Sequence, residues 1–191
     1  MTFPQRIAIA TRNAHKVREI RAICADWPVT FVEADDRWPA VAETGATYLE
    51  NAFLKARAVA GATGIPALAD DSGIEVDALG GAPGPRSARF AGETASDAEN
   101  LRALLAAIAG VPAMGRTARY RCVVVLVEPD GRELVTEGTC EGGFGYDPAF
   151  VPAGWEVTLA ELPPGEKDRI DRKSTRLNSS HSQQSRMPSS A

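Results

Sequence analysis

The stretch that most narrows the possible folds is Arg119 to Glu128. Within it, Cys122-Val123-Val124-Val125-Leu126-Val127 is an almost unbroken apolar run. Such a run, rich in β-branched residues, implies a central strand covered on both faces. Pro129-Asp130-Gly131-Arg132 is a hairpin turn signal, which makes Glu133 to Thr139 the returning strand. Upstream, Arg6 to Ala10 and Val29 to Glu33 read as two short strands. Between them Val17, Ile20 and Ile23-Cys24 recur at helical spacing, so a helix starts near Asn13 to Lys16. Thr47 and Glu50 form a capping box. The helix they open should run from Tyr48 to about Ala62 and stop at Gly64, burying Leu49, Phe53, Ala56 and Ala60. Ser96 and Glu99 repeat the capping pattern for a helix reaching about Ala109, with Leu101, Leu104, Leu105 and Ile108 on its core face. Thr158 to Leu162 and Gly165 to Ile170 suggest short helical pieces. The residues by themselves therefore describe alternating strands and helices followed by a hairpin.

Candidate chemistry gathers in four places. The apolar run Pro66-Ala67-Leu68-Ala69 breaks into Asp70-Asp71 and then Ser72-Gly73. A strand ending in carboxylates at a glycine turn can present a metal ligand or a general base; the same dipeptide can also simply solvate a tight turn. Thr11 to Lys16 lie between a strand and a helix N-terminus, where free N–H groups and the helix dipole favour phosphate, although an ordinary turn reads the same way. Glu43 precedes the second helix and suits its dipole, while Asn51 and Lys55 share one face of that helix. Gly142 to Phe150 set two aromatics among glycines, either as a wall for a flat ligand or as rings packed inward.

Composition excludes several classes. Hydrophobic content of 44% and charged content of 24% are those of a globular protein. No run approaches a membrane span and no signal pattern opens the chain, so a cytoplasmic protein without membrane partners is expected. The net charge of −4 combines about +3 from Asp171 onward with about −7 before it, which argues against general nucleic-acid binding. Cys24, Cys122 and Cys140 form no metal-type pair, and His15 and His181 cannot make a histidine-rich site. Residues 171–191 are serine-rich, polar and aperiodic. They are expected to be a disordered, non-native tail on a single domain spanning 1–170.

Taken together, the motifs resemble the inosine/xanthosine triphosphate pyrophosphatase family. The pieces are Thr11 to Lys16 (TRNAHK), Glu43 to Ala56, Ala69 to Gly84, Ser87 to Gly92, Gly143 to Phe150 (GFGYDPAF) and Glu166-Lys167, in the family's order. The resemblance implies an α/β fold: an elongated mixed β-sheet flanked by helices, in two lobes with a substrate cleft between them. It implies that Thr11, Arg12, Asn13, Ala14, His15 and Lys16 bind the triphosphate with help from Lys55. Glu43 with Asp70 or Asp71 would hold Mg²⁺, with Asp71 as proton acceptor. Ser72 would contact substrate, Phe144, Gly145, Tyr146 and Asp147 would line the purine pocket, and Lys167 would contact the nucleotide. The implied reaction is hydrolysis of inosine, deoxyinosine or xanthosine triphosphate to the monophosphate and pyrophosphate, by a homodimer. Family members carry about a dozen more residues before Gly143, far above the hairpin minimum. They also carry a Ser-His-Arg element and a closing helix where this chain has Asp171-Arg172-Lys173. Those departures leave two other readings: a pyrophosphatase for pyrimidine or modified nucleotides, or a nucleotide-binding chain without turnover.

Overall fold

The computed structural model describes residues 5–34, 38–144, 150–158, 161–163 and 166. A six-stranded mixed sheet runs through the molecule in the order β2-β1-β3-β4-β5-β6. Its strands are β1 (Arg6–Ile9), β2 (Thr30–Val32), β3 (Ala67–Val76), β4 (Thr117–Val127), β5 (Glu133–Phe144) and β6 (Phe150–Pro152). β1 lies parallel to β2 and β3, whereas β3, β4, β5 and β6 pair antiparallel. The helices are α1 (Ala14–Ile23), α2 (Tyr48–Thr63) and α3 (Asp97–Ala107). Both expected capping boxes form, and Gly64 closes α2 in the left-handed conformation that a residue with a Cβ avoids.

Two hydrophobic clusters share the central strands. One joins α2 to Ala8, Ala67, Ala69, Val123 and Val125. The other joins Leu104 and Ile108 to Ile74, Val76, Ala118, Phe144 and Phe150. Residues of odd number on β3 and β4 serve the first cluster and even ones the second, so the clusters lie on opposite faces of the sheet. One core at each end of a long β3–β4 ladder accounts for an elongated α/β molecule of two lobes.

Four local expectations change. Leu49 and Leu101 are 39% and 41% exposed. The face of α2 that meets the sheet is Tyr48, Asn51, Ala52, Ala56, Val59 and Ala60. Small residues there, opposite alanines of β1 and β3, let the helix lie close, and larger side chains are displaced to its flank. Phe53, on that flank, is covered by the Arg57 guanidinium 4.4 Å from its ring centre. β4 is central, but Val123, Val125 and Val127 are buried while Cys122, Val124 and Leu126 are only half-buried, so one face is covered better than the other. β5 continues past Thr139 through Gly142 and Gly143 to Phe144, which are strand rather than loop. Among the described residues, Glu161 lies in a turn, Leu162 in a bend and Pro163 outside regular structure, and Glu166 is helical.

The largest change concerns Asp70 and Asp71. They lie inside β3, which runs on without a break to Val76, held by β4 at every position. The chain then folds back over the strand. Ser87 Oγ accepts from Ile74 N at 2.9 Å and donates to the Gly84 carbonyl at 2.6 Å. A Cβ on Gly73 would lie 2.3 Å from Gly84 O and 2.5 Å from Ser87 Oγ. Gly73→Ala is therefore expected to cost at least about 3 kcal/mol of unfolding free energy in a urea titration, because backbone as well as side chain must move.

Candidate active site

The site exists because β1 is short. It pairs with β3 only through Ala8↔Ala67 and Ile9↔Leu68. Beyond Leu68, β3 keeps β4 on one side and, among the described residues, has no strand on the other. The turn from β1 into α1 faces that open edge, the kind of crevice at strand ends where α/β sheets hold ligands. Side chains alternate along β3, so Asp71 faces α2 and Asp70 the opposite side, with Ser72.

α1 brings Lys16. Its ammonium donates to Asp70 Oδ2 at 2.6 Å and to Ser72 Oγ at 3.4 Å. Burial pulls the Lys16 pKa down, but the charge and hydrogen bond of Asp70 outweigh it and hold it above the ordinary lysine value. The α1 N-terminus is closed by Asn13, whose side chain accepts from His15 N, while Thr11 Oγ1 accepts from Asn13 N. His15 contacts Arg18 through its ring, and Ala14 opens the helix. Arg12 turns elsewhere, donating to the Trp38 carbonyl at 2.8 Å.

α2 brings Lys55 and Asn51. Lys55 donates to Glu43 Oε1 at 2.7 Å. Burial pushes the Glu43 carboxyl up, but Lys55, with Lys16 and Arg89 behind it, leaves it below the usual carboxylate range. Asn51 Nδ2 donates to Asp71 Oδ2 at 3.0 Å, and Ser72 N donates to Asp71 Oδ1 at 3.0 Å. Burial raises the Asp71 pKa, and Asn51, Lys55 and Lys16 reverse only part of that shift. A raised carboxyl with two bound donors is suited to accept a proton.

Sequence reasoning brought together Glu43, Lys55, Asp70, Asp71, Ser72 and Lys16. It gave no role to Asn51 or to Arg89, which donates to the Glu43 carbonyl at 2.8 Å across 46 residues of chain. The shared helix face of Asn51 and Lys55 was the one available signal for Asn51. Phe144 is 3% exposed, its ring edge-on to Phe150 at 6.2 Å. It also borders a hollow of about 280 Å³ with Arg116, Thr117 and Val151. Thr117 lies about 20 Å along β4 from Val123, the partner of Asp71. Gly145, Tyr146, Asp147 and Lys167 lie outside the described residues.

Among the described residues, no three carboxylate, histidine or cysteine side chains converge into a ready-made metal cage. Asp70 Oδ1 nevertheless is buried without a hydrogen-bond partner. A hard anionic oxygen left open beside the Lys16 ammonium suits a cation that takes one or two carboxylates and completes its shell from water.

The sequence pattern of the Ham1 family matches residues 7–179. A Vibrio parahaemolyticus protein named dITP/XTP pyrophosphatase is 46% identical over 188 residues, covering 92% of this chain and 94% of its own. One of the same name from Symbiobacterium thermophilum is 48% identical over 183 residues, 91% of each chain. Those 188 positions exceed the 92% of 191 residues they cover, so about a dozen positions of the Vibrio protein have no counterpart here. Among solved structures, a HAM1 protein of Coxiella burnetii superposes with a TM-score of 0.78 at 36% identity, over 90% of this chain and 98% of its own. A nucleoside-triphosphatase / dITP/XTP pyrophosphatase of Mycobacterium abscessus gives 0.73 at 38% identity, over 90% and 95%.

Proposed function

Because the chain belongs to the Ham1 family, we propose that it hydrolyses non-canonical purine nucleoside triphosphates, of the inosine, deoxyinosine and xanthosine kind, to monophosphate and pyrophosphate. The observation that carries this reading is the meeting, at the open edge of β3, of Asp71 with both oxygens accepting, Asp70 with one oxygen open, and the ammonium groups of Lys16 and Lys55. The names of the relatives supply the substrate class.

In this reading the triphosphate lies against the α1 N-terminus, where Thr11 to Lys16 present N–H groups and one ammonium. Water attacks phosphorus at the α–β anhydride, its proton passes to Asp71, and pyrophosphate leaves. Lys16 and Lys55 offset the charge that builds on the phosphate oxygens. Glu43 with Asp70 or Asp71 would hold Mg²⁺, which supplies further positive charge to those oxygens. Ser72 sits between Lys16 and Asp71 to contact the same phosphates. The base end is assigned to Phe144 through Asp147 and to Lys167 on the family resemblance. Cytoplasmic homodimers complete the reading. No helix among the described residues is long and apolar enough to cross a membrane.

Incubation with inosine triphosphate and Mg²⁺, with pyrophosphate as readout, tests it. Release of pyrophosphate without free phosphate, abolished by a chelator and restored by Mg²⁺, is the expected result. Release of single phosphates, or equal turnover of adenosine triphosphate, would sink it.

A further inference from the structure

Asn51 is wholly buried, with 0% exposure, inside the otherwise apolar contact between α2 and the sheet. A polar side chain in that position is retained only where its hydrogen bonds are satisfied. Its partners fix which way the amide points. The Gly45 N–H donates to Asn51 Oδ1 at 2.8 Å. A backbone N–H can only donate, so the amide oxygen must face Gly45 and the amide nitrogen must face Asp71. Asp71 Oδ2 then receives a hydrogen bond, as Oδ1 does from Ser72 N. Both oxygens of the proposed base are therefore held as acceptors by donors that cannot reverse their roles.

The same amide reaches the other acidic group. Gly45 follows Glu43 by two residues, in a segment without regular secondary structure. A Cβ on Gly45 would lie 2.6 Å from Glu50 Cβ and 2.8 Å from Asn51 Oδ1, so only glycine lets the segment come this close. Arg89 grips the same segment at the Glu43 carbonyl and Arg12 at the Trp38 carbonyl. Of these three fixings, Asn51 alone also touches Asp71.

We infer that Asn51 is a positioning residue that sets Asp71 and the Glu43 segment as one unit, through an amide whose orientation Gly45 dictates. Its hydrogen-bond partners are Asp71 and Gly45, and it acts on the reaction through them. This inference rests on the pyrophosphatase reading for its effect on rate, while its structural half stands apart from that reading.

Asn51→Asp is the decisive variant. It is nearly isosteric and keeps an acceptor for Gly45, but it sets an oxygen against Asp71 in place of a donor. The expected result is a kcat lower by about 10²-fold, with KM and the affinity for an α,β-methylene inosine triphosphate analogue within about threefold of wild type. A kcat equal to wild type, or equal losses in affinity and kcat, would overturn the inference; the second pattern is that of a merely structural residue. Should Asn51→Asp not fold, Gly45→Ala decides, since it leaves the amide intact and displaces the segment. A kcat loss of about tenfold or more supports the linkage, and an unchanged kcat overturns it. Wild-type turnover in the same assay tests the functional reading separately. If the wild type has none, hydrogen exchange at the Gly45 amide still decides. Protection of about tenfold or more over an open loop amide supports the linkage, and exchange at the open-loop rate overturns it.

Discussion

Asp71→Asn is expected to lower kcat on inosine triphosphate by about 10³-fold while nucleotide affinity changes little. Lys16 and Lys55, the proposed phosphate ligands, make their own hydrogen bonds to Asp70 and Glu43 and do not depend on Asp71. The variant should remain folded because two effects oppose each other. An asparagine has one side-chain oxygen for the two donors, Asn51 Nδ2 and Ser72 N, that Asp71 accepts. Leaving one buried donor unmet costs about 1–3 kcal/mol. Against that, the Asp71 carboxyl is raised by burial, so its charge opposes folding. A raised carboxyl is most favourable to folding below its unfolded pKa, and that contribution is lost as pH rises through the folded value. At neutral pH the wild type carries this cost and the variant does not. Steady-state kinetics with a thermal melt on the same samples checks the prediction. Loss of kcat together with a collapse of Tm would mean that Asp71 acts through the fold, and retained kcat would remove it as the base.

How much of this was legible depends on how far apart the deciding residues lie. The capping boxes at Thr47 and Ser96 and the stop at Gly64 are local patterns, and all three form as expected. The choice of buried residues on α2 is not local. It follows from alanines on β1 and β3 that draw the helix close and push Leu49 aside. Asp70-Asp71 reads as a turn because aspartate and glycine disfavour strands. The strand persists because β4 pairs with it along its whole length, which no window around Asp70 reveals. Glu43, Lys55, Asp70 and Asp71 could be proposed together from motif order. The side chains that hold them could not: Arg89 reaches Glu43 across 46 residues, and the orientation of the Asn51 amide is a consequence of one backbone N–H in a loop.

The short connection before Gly143 acts on packing rather than on the acidic centre. With no intervening segment, β5 carries straight on from Cys140 to Phe144 and takes β6 as its neighbour. Gly142 then lies where a Cβ would be 2.2 Å from Val151 O and 2.5 Å from the Phe150 ring. Phe144 is drawn into the second core with Ile74 and Leu104. The residues proposed to line the base pocket thus follow a strand register set at the far end of β4, while Lys16 and Lys55 are carried by α1 and α2 at the other end of the ladder. If the base is held at that end, as proposed, rate and base selection should respond to different substitutions.

Lys16→Met should separate the two duties of that lysine. It removes the partner of Asp70, whose Oδ1 already has none, and so leaves a carboxylate buried with neither oxygen paired by a side chain. Breaking a fully buried pair costs about 3–5 kcal/mol. Here the Lys16 side chain is 27% exposed and water screens part of the pair. A loss of about 2 kcal/mol, or about 6 °C in Tm, is expected. Because Lys16 has its pKa raised, its contribution is present below the ordinary lysine value of 10.5 and is lost as pH rises through the folded value, so the gap in stability from wild type should persist at neutral pH and, on the alkaline side, close in strong alkali. The double variant Lys16→Met/Asp70→Asn removes the stranded charge and should regain most of the lost stability. It should not regain activity: with no ammonium at the α1 N-terminus, kcat/KM on inosine triphosphate stays lower by about 10³-fold in both variants. A double-mutant cycle measured by melts and by kinetics reads the two duties independently. A double variant that recovered turnover would show that Lys16 serves only to pair Asp70, and a single variant as stable as wild type would show that the pair contributes nothing to the fold.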